Sequence, residues 1–519
     1  MTRYVFILLL LTATVIAASL RWPQLDARPM HADEAVQARR FRDLWIDHRY
    51  RYDPDEFHGP TLAYATLPSV WWQGVDTFAE TTAATYRIVP AIFGVCLVLL
   101  MLLLSDALGR SATVVAALLA AISPAMVFYS RYYIHETLLL FFSLAAMAFA
   151  WRYVRSGNLA WCLAAGVAAG LMQATKETAV LSFAAAGAAT IGVAALRRRK
   201  GEPSGLSHPI PWWHLAGALA IGLVTAMTLF TSFGAHPRGI LDSVLTYVPW
   251  IGRAGGASPH IWPWHFYLHR LAWWQVGDGP RFSEGLILLL AAVGLGFALF
   301  GRRPAPDRTA QLAVRWLSGY TLALAAIYTI IPYKTPWCLL QFLIGLILLA
   351  GYGAARLIAA TPTSALKSVL GIVMLGLAGQ LGWQAYQAAL VLPADPRNPY
   401  VYAHATPDIQ RLADDIRQLT EAFPDGPQTT ILVIYDGPFY WPLPWYLRAQ
   451  QRVGYWTHVP DDPHAAIVIG SPTYDAELTA KLDDTHLMTG YYANRPQELI
   501  QLWVRMDVWE SHLRALGRL

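Results

Sequence analysis

Charged side chains are scarce in this sequence. Only 14% of its 519 residues are Asp, Glu, Lys or Arg, whereas 55% are hydrophobic. An ordinary soluble domain carries about 25% charged residues, so the shortage excludes that class and predicts a multi-spanning membrane protein. The formal charge is only +5, and the basic residues are scattered between apolar blocks. No nucleic-acid partner is expected, because such binding needs a concentrated basic surface.

Cysteine is also rare, and the common cofactor motifs are missing. The three cysteines lie inside apolar runs without CxxC spacing, at Cys96, Cys162 and Cys338. This pattern excludes a disulfide framework or a thiolate zinc site and is typical of small buried residues. Neither GxGxxG nor GxxxxGK(S/T) stands between a predicted strand and a helix, so the sequence carries no nucleotide-binding signature.

Long apolar runs are abundant instead. A helix needs about 17 to 25 residues to cross the roughly 30 Å hydrocarbon core of a bilayer. About eleven runs fit a span, with approximate limits 4–20, 86–104, 112–129, 136–152, 159–175, 178–196, 213–232, 284–300, 312–331, 337–356 and 366–391. The first run follows Arg3 and could instead be a signal peptide. A retained helix is favoured because many more spans follow it.

The basic residues predict which loops are external. Short cytoplasmic connections retain Lys and Arg. With a cytoplasmic N-terminus, alternate connections hold Arg110, Arg152, Arg155, the RRRK run at 197–200, Arg302, Arg303 and Arg308. The remaining connections are then external, namely 21–85, 130–136, 175–178, 233–283, 331–337 and the C-terminal segment 392–519. Every chemically dense stretch therefore falls on the outer face of a cell membrane.

The C-terminal segment 392–519 differs in composition from the rest. Charged amphipathic stretches such as TPDIQRLADDIRQLTEAF alternate with the β-branched runs TTILVIYD and AAIVIG. Thr406 and Pro407 are suited to the N-cap and first position of a helix, and Asp436-Gly437 to a turn after a strand. The segment is predicted to be a small extracytoplasmic α/β domain.

Acidic and imidazole residues recur in the predicted external loops. The stretch RPMHADEAVQARRF contains His31, Asp33 and Glu34, and further groups follow at Glu56, His58, His135, Glu136, Lys176 and Glu177. Ionisable groups at membrane depth are costly, so they usually face a polar cavity or pair with one another. The alternatives are that Asp33 and Glu34 cap a short helix, and that Lys176–Glu177 or Arg131–Glu136 form structural pairs.

A polar cavity at the outer membrane surface suits one chemistry well. A sugar linked through phosphate to a long isoprenoid keeps its tail in lipid and its anionic head at the interface. Lys and Arg can neutralise that phosphate, and a carboxylate can deprotonate an acceptor hydroxyl. A lipid-linked donor would also explain why no nucleotide-binding signature is needed.

Several segments resemble a known family. The order of one span, an acidic pair in a large first loop, many spans and a C-terminal domain is similar to GT-C membrane glycosyltransferases, specifically the glycosyltransferase 39 group of protein mannosyltransferases and lipid A aminoarabinose transferase. The chain more closely resembles the flippase activity-associated protein family, through MHADEAVQA, YDPDEFHGPTL, YSRYYIHETLLLFF, ATKET, YKTPWCLLQFLIGLILLAG, PYVYAHATPDI and PWYLR. The resemblance implies a multi-spanning α-helical GT-C transmembrane domain over 1–391 and an α/β domain over 392–519.

The resemblance also implies roles for individual residues. Asp33 becomes the general base at the acceptor, and Glu34 positions substrate beside it. Relatives have a Lys-Pro-Pro-Leu-like segment where this chain has HGPTL at 58–62, so their phosphate-facing lysine is absent and His58 stands near its place. Lys176, Arg131 and Lys334 are then the alternatives for the carrier phosphate.

The remaining polar groups complete the expected site. Substrate is expected to contact His31, His58, Arg131, His135, Glu136, Lys176, Glu177, Tyr333 and Lys334. No cofactor is otherwise expected, but carboxylate and imidazole could bind a divalent metal ion at Glu56, His58 and Glu136.

Two segments that are rich in aromatic residues each allow two interpretations. The 233–283 loop could anchor at the membrane interface through its tryptophans, or form a sugar platform with His265 or His269. Pro336 of YKTPW could simply begin a helix, whereas Lys334 is on the correct face for a phosphate. Tyr440, Trp441, Trp445 and Tyr446 are expected in the core of the C-terminal domain.

Together these features predict a transferase at the cell membrane. It would move a sugar from a polyprenyl-phosphate donor to an external glycan, protein or lipid. The main alternative is a non-catalytic partner of a flippase or glycan-assembly protein, in which the same cavity binds the carrier phosphate. A solute transporter is disfavoured, because the polar residues gather at one face and not at broken helices in mid-membrane.

Overall fold

The computed structural model describes residues 1–56, 58–199, 201, 208–256, 258, 260–301 and 307–519. Lys200, Arg302 and Arg303, which marked cytoplasmic connections in the charge pattern, lie outside the described residues. The helices are α1 (Arg3–Arg21), α2 (Ala32–Asp47), α3 (Thr61–Gln73), α4 (Ala83–Leu100), α5 (Ser105–Leu108), α6 (Arg110–Ile122), α7 (Pro124–Ser130), α8 (Glu136–Ser156), α9 (Leu159–Gln173), α10 (Ala179–Arg199), α11 (Trp212–Phe230), α12 (Gly239–Leu245), α13 (Tyr247–Ala254), α14 (Phe266–Ala272), α15 (Gly285–Phe300), α16 (Arg308–Ile330), α17 (Leu340–Ala360), α18 (Ser364–Tyr386), α19 (Asp408–Ala422), α20 (Leu443–Tyr446), α21 (Asp475–Leu482) and α22 (Met506–Ala515).

Each of the predicted membrane spans is helical. Among the described residues, seven helices are long and apolar enough to cross a membrane, and the pair α6 and α7 makes an eighth if counted as one span. The other predicted spans correspond to the shorter apolar helices α9 and α15 and to α16. The multi-spanning helical fold is therefore confirmed, while a total of about eleven spans stays a prediction.

Helix α17 lies at the centre of the bundle. Its span is 89% buried, and it packs against α15 and α6. The approach to α15 is so close that a Cβ on Gly353 would lie 2.1 Å from the Leu290 carbonyl oxygen, and one on Gly294 would lie 2.0 Å from that of Leu349. Glycine is required at both positions, because any side chain would force the helices apart.

The predicted straight span 112–129 is instead a bent pair. Helices α6 and α7 meet at 57°. Pro124 begins α7, and the Ser123 hydroxyl accepts the Met126 N–H at 3.3 Å. The buried Glu284 carboxylate accepts hydrogen bonds from the Ser123 hydroxyl at 2.8 Å and the Ala125 N–H at 3.0 Å. These contacts satisfy N–H groups at the start of α7 that have no partner within the helix. The bend places the loop after Ser130 next to the other polar loops.

The C-terminal segment forms the expected α/β domain. Its five-stranded sheet has the order β2-β1-β3-β5-β4, in which β1 pairs in parallel with β2 and β3, whereas β5 runs antiparallel to β3 and β4. The strands are β1 (Ile431–Ile434), β2 (Val453–Trp456), β3 (Ile467–Gly470), β4 (His486–Arg495) and β5 (Glu498–Arg505). The runs TTILVIYD and AAIVIG supply β1 and β3, as predicted. Helix α19 begins at Asp408, whose N–H is accepted by the Thr406 hydroxyl at 3.2 Å.

This domain packs on the 21–85 loop. The Tyr446 hydroxyl accepts the Met30 N–H at 2.9 Å, and Arg448 donates to the Thr81 carbonyl at 2.6 Å. Trp445 packs edge-on against Tyr86 at 5.4 Å. The prediction that all four aromatic residues at 440–446 form the domain core was therefore wrong for Trp441 and Trp445, which pack against the apolar cluster of the first loop and α4.

Candidate active site

Helix α2 carries Asp33 at the centre of the candidate site. Its N-cap is His31, whose Nδ1 accepts the Asp33 N–H at 3.0 Å, and Glu34 accepts the His31 N–H at 3.0 Å in return. The cap therefore uses the side chains of His31 and Glu34. The Asp33 side chain is 51% exposed, and its carboxylate accepts no hydrogen bond from any residue that the structure describes. It is free to contact a ligand.

Glu34 has a different environment from its neighbour. Its buried carboxylate accepts from Arg87 at 2.7 and 2.6 Å, from Arg28 at 2.8 Å, and from the N–H groups of Tyr133 at 2.9 Å and His31 at 3.0 Å. Burial raises its pKa, but the Arg28 and Arg87 charges outweigh burial and hold the pKa at about 2. A substrate contact was expected here, yet the acceptor sites are occupied. Glu34 instead fixes α2 to neighbouring elements.

Three other segments face Asp33. Burial raises the pKa of Tyr132 and Tyr333, and the negative charge of Asp33 raises both further. Burial lowers the pKa of His260, and the same Asp33 charge opposes this effect. The His31 ring beside Asp33 lies 5.3 Å from that of Tyr132 and 6.1 Å from that of Trp337, and the His260 ring lies 5.7 Å from that of Tyr333, so the loops at 130–136, 331–337 and 233–283 meet near the start of α2.

His31 lies beneath Asp33. Its ring is buried and packs edge-on against Tyr132 at 5.3 Å and Trp337 at 6.1 Å. Its Nδ1 serves the helix cap, and within the described chain its Nε2 has no hydrogen-bond partner. The predicted substrate contact of His31 stays a prediction that would use Nε2.

A second polar cluster lies between the 58–60 segment and the loop at 174–177. Lys176 and Glu136 form a buried ion pair, and His58 Nδ1 lies 2.9 Å from Glu177 Oε2. His135 Nε2 lies 3.0 Å from the Gly59 carbonyl oxygen, and its ring is 5.2 Å from that of His58. The predicted pairs Lys176–Glu177 and Arg131–Glu136 were therefore wrong, because Lys176 contacts Glu136 and Glu177 contacts His58.

Close backbone contact joins the two segments of this cluster. Gly59 donates its N–H to the Thr175 carbonyl at 3.1 Å, and a Cβ at Gly59 would lie 2.1 Å from the Ala174 carbonyl oxygen. Only glycine permits this approach. Burial raises the pKa of Tyr333, the Lys176 charge of this cluster lowers it, and the Asp33 charge raises it.

Among the residues that the structure describes, the side chains of Lys334 and Arg131 hydrogen-bond to carbonyl groups alone. Lys334 is buried, and its ammonium donates to the Ile331 carbonyl and, at 3.4 Å, to that of Trp262. Burial lowers its pKa. Arg131 donates to carbonyls at the end of α1 and just after it, at 2.9 Å to Arg21 and 3.1 Å to Gln24. Burial, followed by the charges of Arg28 and Arg87, lowers its pKa to about 9. Among the described residues, neither cation has a carboxylate partner.

The three candidate metal ligands do not come together. The Glu56 side chain is exposed, whereas His58 contacts Glu177 and Glu136 contacts Lys176. Within the described ranges, no group of three or more His, Cys, Asp or Glu side chains is arranged to hold a metal ion. The site therefore supplies no ligand set at these positions.

The 233–283 loop contacts the site through Trp262 and His260, which were not among its predicted site residues. Trp262 and His260 contact the Lys334 segment, since the His260 carbonyl accepts the Lys334 N–H at 2.9 Å. His265 and His269 instead pack near Trp264 and Trp274, respectively. Arg87 and His404 were also missed. An arginine within the predicted span 86–104 was a usable signal, because a charge there needs a buried partner.

An apolar groove of about 330 Å³ begins beside the second cluster. Helices α9, α11 and α12 line it with small and aliphatic residues, including Gly170, Gly222 and Val244. At its polar end, Tyr247 hydrogen-bonds with Gln173 at 2.9 Å and approaches the Glu177 carbonyl at 3.5 Å. The groove thus joins hydrocarbon-like surroundings to the cluster of ionisable groups.

Known proteins share this architecture. Residues 65–237 match the sequence family of Dolichyl-phosphate-mannose-protein mannosyltransferase. ArnT from Cupriavidus metallidurans, solved with undecaprenyl phosphate bound, is 14% identical with a TM-score of 0.64, over 98% of this chain and 99% of ArnT. The oligosaccharyltransferase AglB from Archaeoglobus fulgidus, solved with an inhibitory peptide and a dolichol-phosphate, is 14% identical with a TM-score of 0.54, over 98% of this chain and 77% of AglB. No curated protein sequence matches. The expected GT-C membrane fold is confirmed.

Proposed function

We propose that this chain is a membrane glycosyltransferase that moves a hexosyl or pentosyl group from a polyprenyl-phosphate donor to an external acceptor hydroxyl. One observation carries the proposal: a half-exposed Asp33 carboxylate, free of hydrogen bonds among the described residues, lies above His31, whose ring is 6.1 Å from that of Trp337 in the loop that carries the buried Lys334. A base and a cation at one site are the groups that sugar transfer from a lipid phosphate requires.

The chemistry follows from these positions. Asp33 takes the proton of the acceptor hydroxyl, and the resulting oxygen attacks the anomeric carbon of the donor sugar. The bond from that carbon to the phosphate oxygen breaks, so polyprenyl phosphate leaves with an added negative charge. Lys334 stabilises this charge. Direct displacement inverts the anomeric configuration, and the product is the glycosylated acceptor.

The apolar groove supports a lipid-linked donor. Its hydrocarbon-like wall suits an isoprenoid tail, and its end at Tyr247 and Glu177 suits a polar head. The bound lipids of ArnT and AglB, undecaprenyl phosphate and dolichol-phosphate, are of the same chemical class. The sugar would then lie between the groove and Asp33.

Replacing Lys334 with glutamine should weaken binding of polyprenyl phosphate by roughly 10- to 100-fold, because a charge-assisted contact is lost. Folding should be nearly unchanged, since the ammonium contacts two carbonyl groups and forms no ion pair within the described residues. Binding to purified protein in detergent measures the effect, and Lys481→Gln in the C-terminal domain is the matched control. Normal binding by Lys334→Gln would place the phosphate elsewhere, with Lys176 and Arg131 as the next candidates.

The proposed orientation puts the N-terminus in the cytoplasm and the site and the C-terminal domain outside. Reporter tags fused after Lys200 or Arg303 should be cytoplasmic, and tags after Arg253 or at Leu519 should be external. Protease accessibility in intact cells and in inverted vesicles measures both sets. An external tag after Lys200 would contradict this orientation and with it the external location of the site.

The flippase-partner alternative is supported by the resemblance of the motifs, and it predicts a different cellular phenotype. A deletion strain lacking the transferase should accumulate lipid-linked sugar and display an external glycan, protein or lipid that lacks one sugar. A complete lipid-linked glycan held on the cytoplasmic side would instead support a role in flipping. Analysis of lipid-linked and external glycans by mass spectrometry separates the two.

A further inference from the structure

The segment that leads from α18 into the C-terminal domain passes through the candidate site. Ala403 has a φ of +52°, a conformation that non-glycine residues rarely adopt. This kink lies between Tyr402 and His404, whose side chains contact different parts of the site. Strained backbone of this kind persists only where surrounding contacts hold it.

His404 contacts the network beneath Asp33. Its buried ring stacks on Tyr132 at 5.3 Å and lies edge-on to His31 at 5.1 Å. Arg28 Nη1 lies 2.8 Å from His404 Nε2, and a guanidinium can only donate, so Nε2 accepts and the proton resides on Nδ1. The Tyr402 carbonyl oxygen lies 2.9 Å from Nδ1 and accepts this proton, and the Tyr402 backbone nitrogen lies equally close to Nδ1. Burial and the Arg28 charge hold the pKa of His404 well below its usual value, which keeps the ring neutral.

This neutral histidine is joined to the base through a short chain of contacts. Arg28, which donates to His404, also donates to Glu34 at 2.8 Å. Glu34 completes the cap of α2 by accepting the His31 N–H at 3.0 Å. The direction of Asp33 therefore depends on an arginine that His404 holds in place.

Tyr402 contacts the opposite side of the site. Its hydroxyl lies 2.7 Å from His260 Nδ1 and accepts the Trp262 indole N–H at 3.3 Å. The backbone carbonyls of these same two residues accept the Lys334 N–H at 2.9 Å and its ammonium at 3.4 Å. Tyr402 thus holds the loop that surrounds Lys334.

We infer that Tyr402 and His404 form a strut that sets the separation between the base Asp33 and the cation Lys334. Both are positioning residues, and their assignment rests on the proposed function for the roles of Asp33 and Lys334. His404 acts on the base through Arg28 and Glu34, whereas Tyr402 acts on the cation through the 260–262 loop. The strut belongs to the connection of the C-terminal domain, so docking of that domain helps to assemble the site.

Two families of variants test the strut. His404→Leu should lower kcat by roughly 10- to 100-fold, as a displaced base would, with polyprenyl phosphate affinity within about twofold of wild type. His404→Gln, which keeps an acceptor near the Nε2 position, should recover most of the lost turnover. If the leucine variant does not fold, His404→Asn replaces it, since asparagine is too short to reach Arg28.

Tyr402→Phe should have the opposite effect on the two measured quantities, with weaker phosphate binding and a smaller change in kcat. Tyr491→Phe on β4 is its control.

A double mutant separates positioning from general damage. If His404 acts through Asp33, the pair Asp33→Asn and His404→Leu should be no slower than Asp33→Asn alone. Additive losses, wild-type kcat in His404→Leu, or equal loss of phosphate binding in the His404 and Tyr402 variants would overturn the strut. Absence of transfer by the wild type would refute the proposed function. The difference in phosphate binding between the His404 variants and the Tyr402 variant would still decide whether the strut exists.

Discussion

Asp33→Asn should lower the turnover number for sugar transfer by roughly 10² to 10⁴ while donor affinity stays within about twofold. Asparagine has nearly the same shape but lacks a basic carboxylate. The cap of α2 depends on the His31 ring and the Glu34 carboxylate, so the substitution leaves the helix intact. The Asp33 carboxylate also forms no hydrogen bond to the described protein that could be lost. The rate should therefore fall without loss of folding.

Asp47→Asn is the matched control, because Asp47 is exposed at the other end of the same helix. It should transfer sugar at the wild-type rate. Turnover and donor affinity are measured on purified protein, together with the melting temperature of each variant. A wild-type rate in Asp33→Asn at an unchanged melting temperature would rule out Asp33 as the general base.

Glu34→Gln should destabilise the protein by about 3 to 5 kcal/mol, the usual cost of removing one partner from a buried ion pair. The neutral amide leaves Arg28 and Arg87 buried without their shared carboxylate. Activity should fall as well, because α2 loses its main attachment to α4. Glu56→Gln, at an exposed position in the same loop, is the control and should melt like the wild type. Equal melting of the two variants would contradict the anchoring role of Glu34.

Acid should destabilise the wild type through the same residue. The pKa of Glu34 is about 2 in the fold and lies near 4.5 in the unfolded chain. Its contribution is therefore complete above about pH 4.5 and is lost as the pH falls toward 2, because only the unfolded chain then binds the proton readily. Melting temperatures between pH 6 and pH 3 should fall more steeply for the wild type than for Glu34→Gln. Parallel curves would argue against an ionised Glu34 in the fold.

Local patterns were sufficient to predict much of the architecture. Apolar run length identified the helices, and the basic residues grouped the loops that do meet around Asp33. The β-branched runs near 431 and 467 became β1 and β3 of the C-terminal sheet. These features depend on residues close together in the chain, so periodicity and composition report them.

Contacts between side chains that are distant in the sequence could not be predicted from these local patterns. Lys176 and Glu177 are neighbours in sequence, yet their side chains contact Glu136 and His58 on different segments. The bend at Ser123-Pro124 was not predicted, because it lies within an apolar run whose length and composition fit a single span. His404 stands in a motif that was noted for its resemblance alone, and its contact with Arg28 joins residues 376 positions apart. Such contacts depend on how the helices pack, which composition does not specify.

Measuring both products of one reaction shows whether the chain transfers sugar or only moves its lipid carrier. Purified protein in liposomes receives a polyprenyl-phosphate sugar with a radiolabel in the sugar, together with surface material from the deletion strain as acceptor. The wild type should transfer the label to the acceptor and release one polyprenyl phosphate for each sugar moved, whereas Asp33→Asn should bind the donor and do neither. Label that remains on the lipid with the wild-type protein, while the lipid crosses the bilayer, would contradict a transferase and support the flippase-partner alternative.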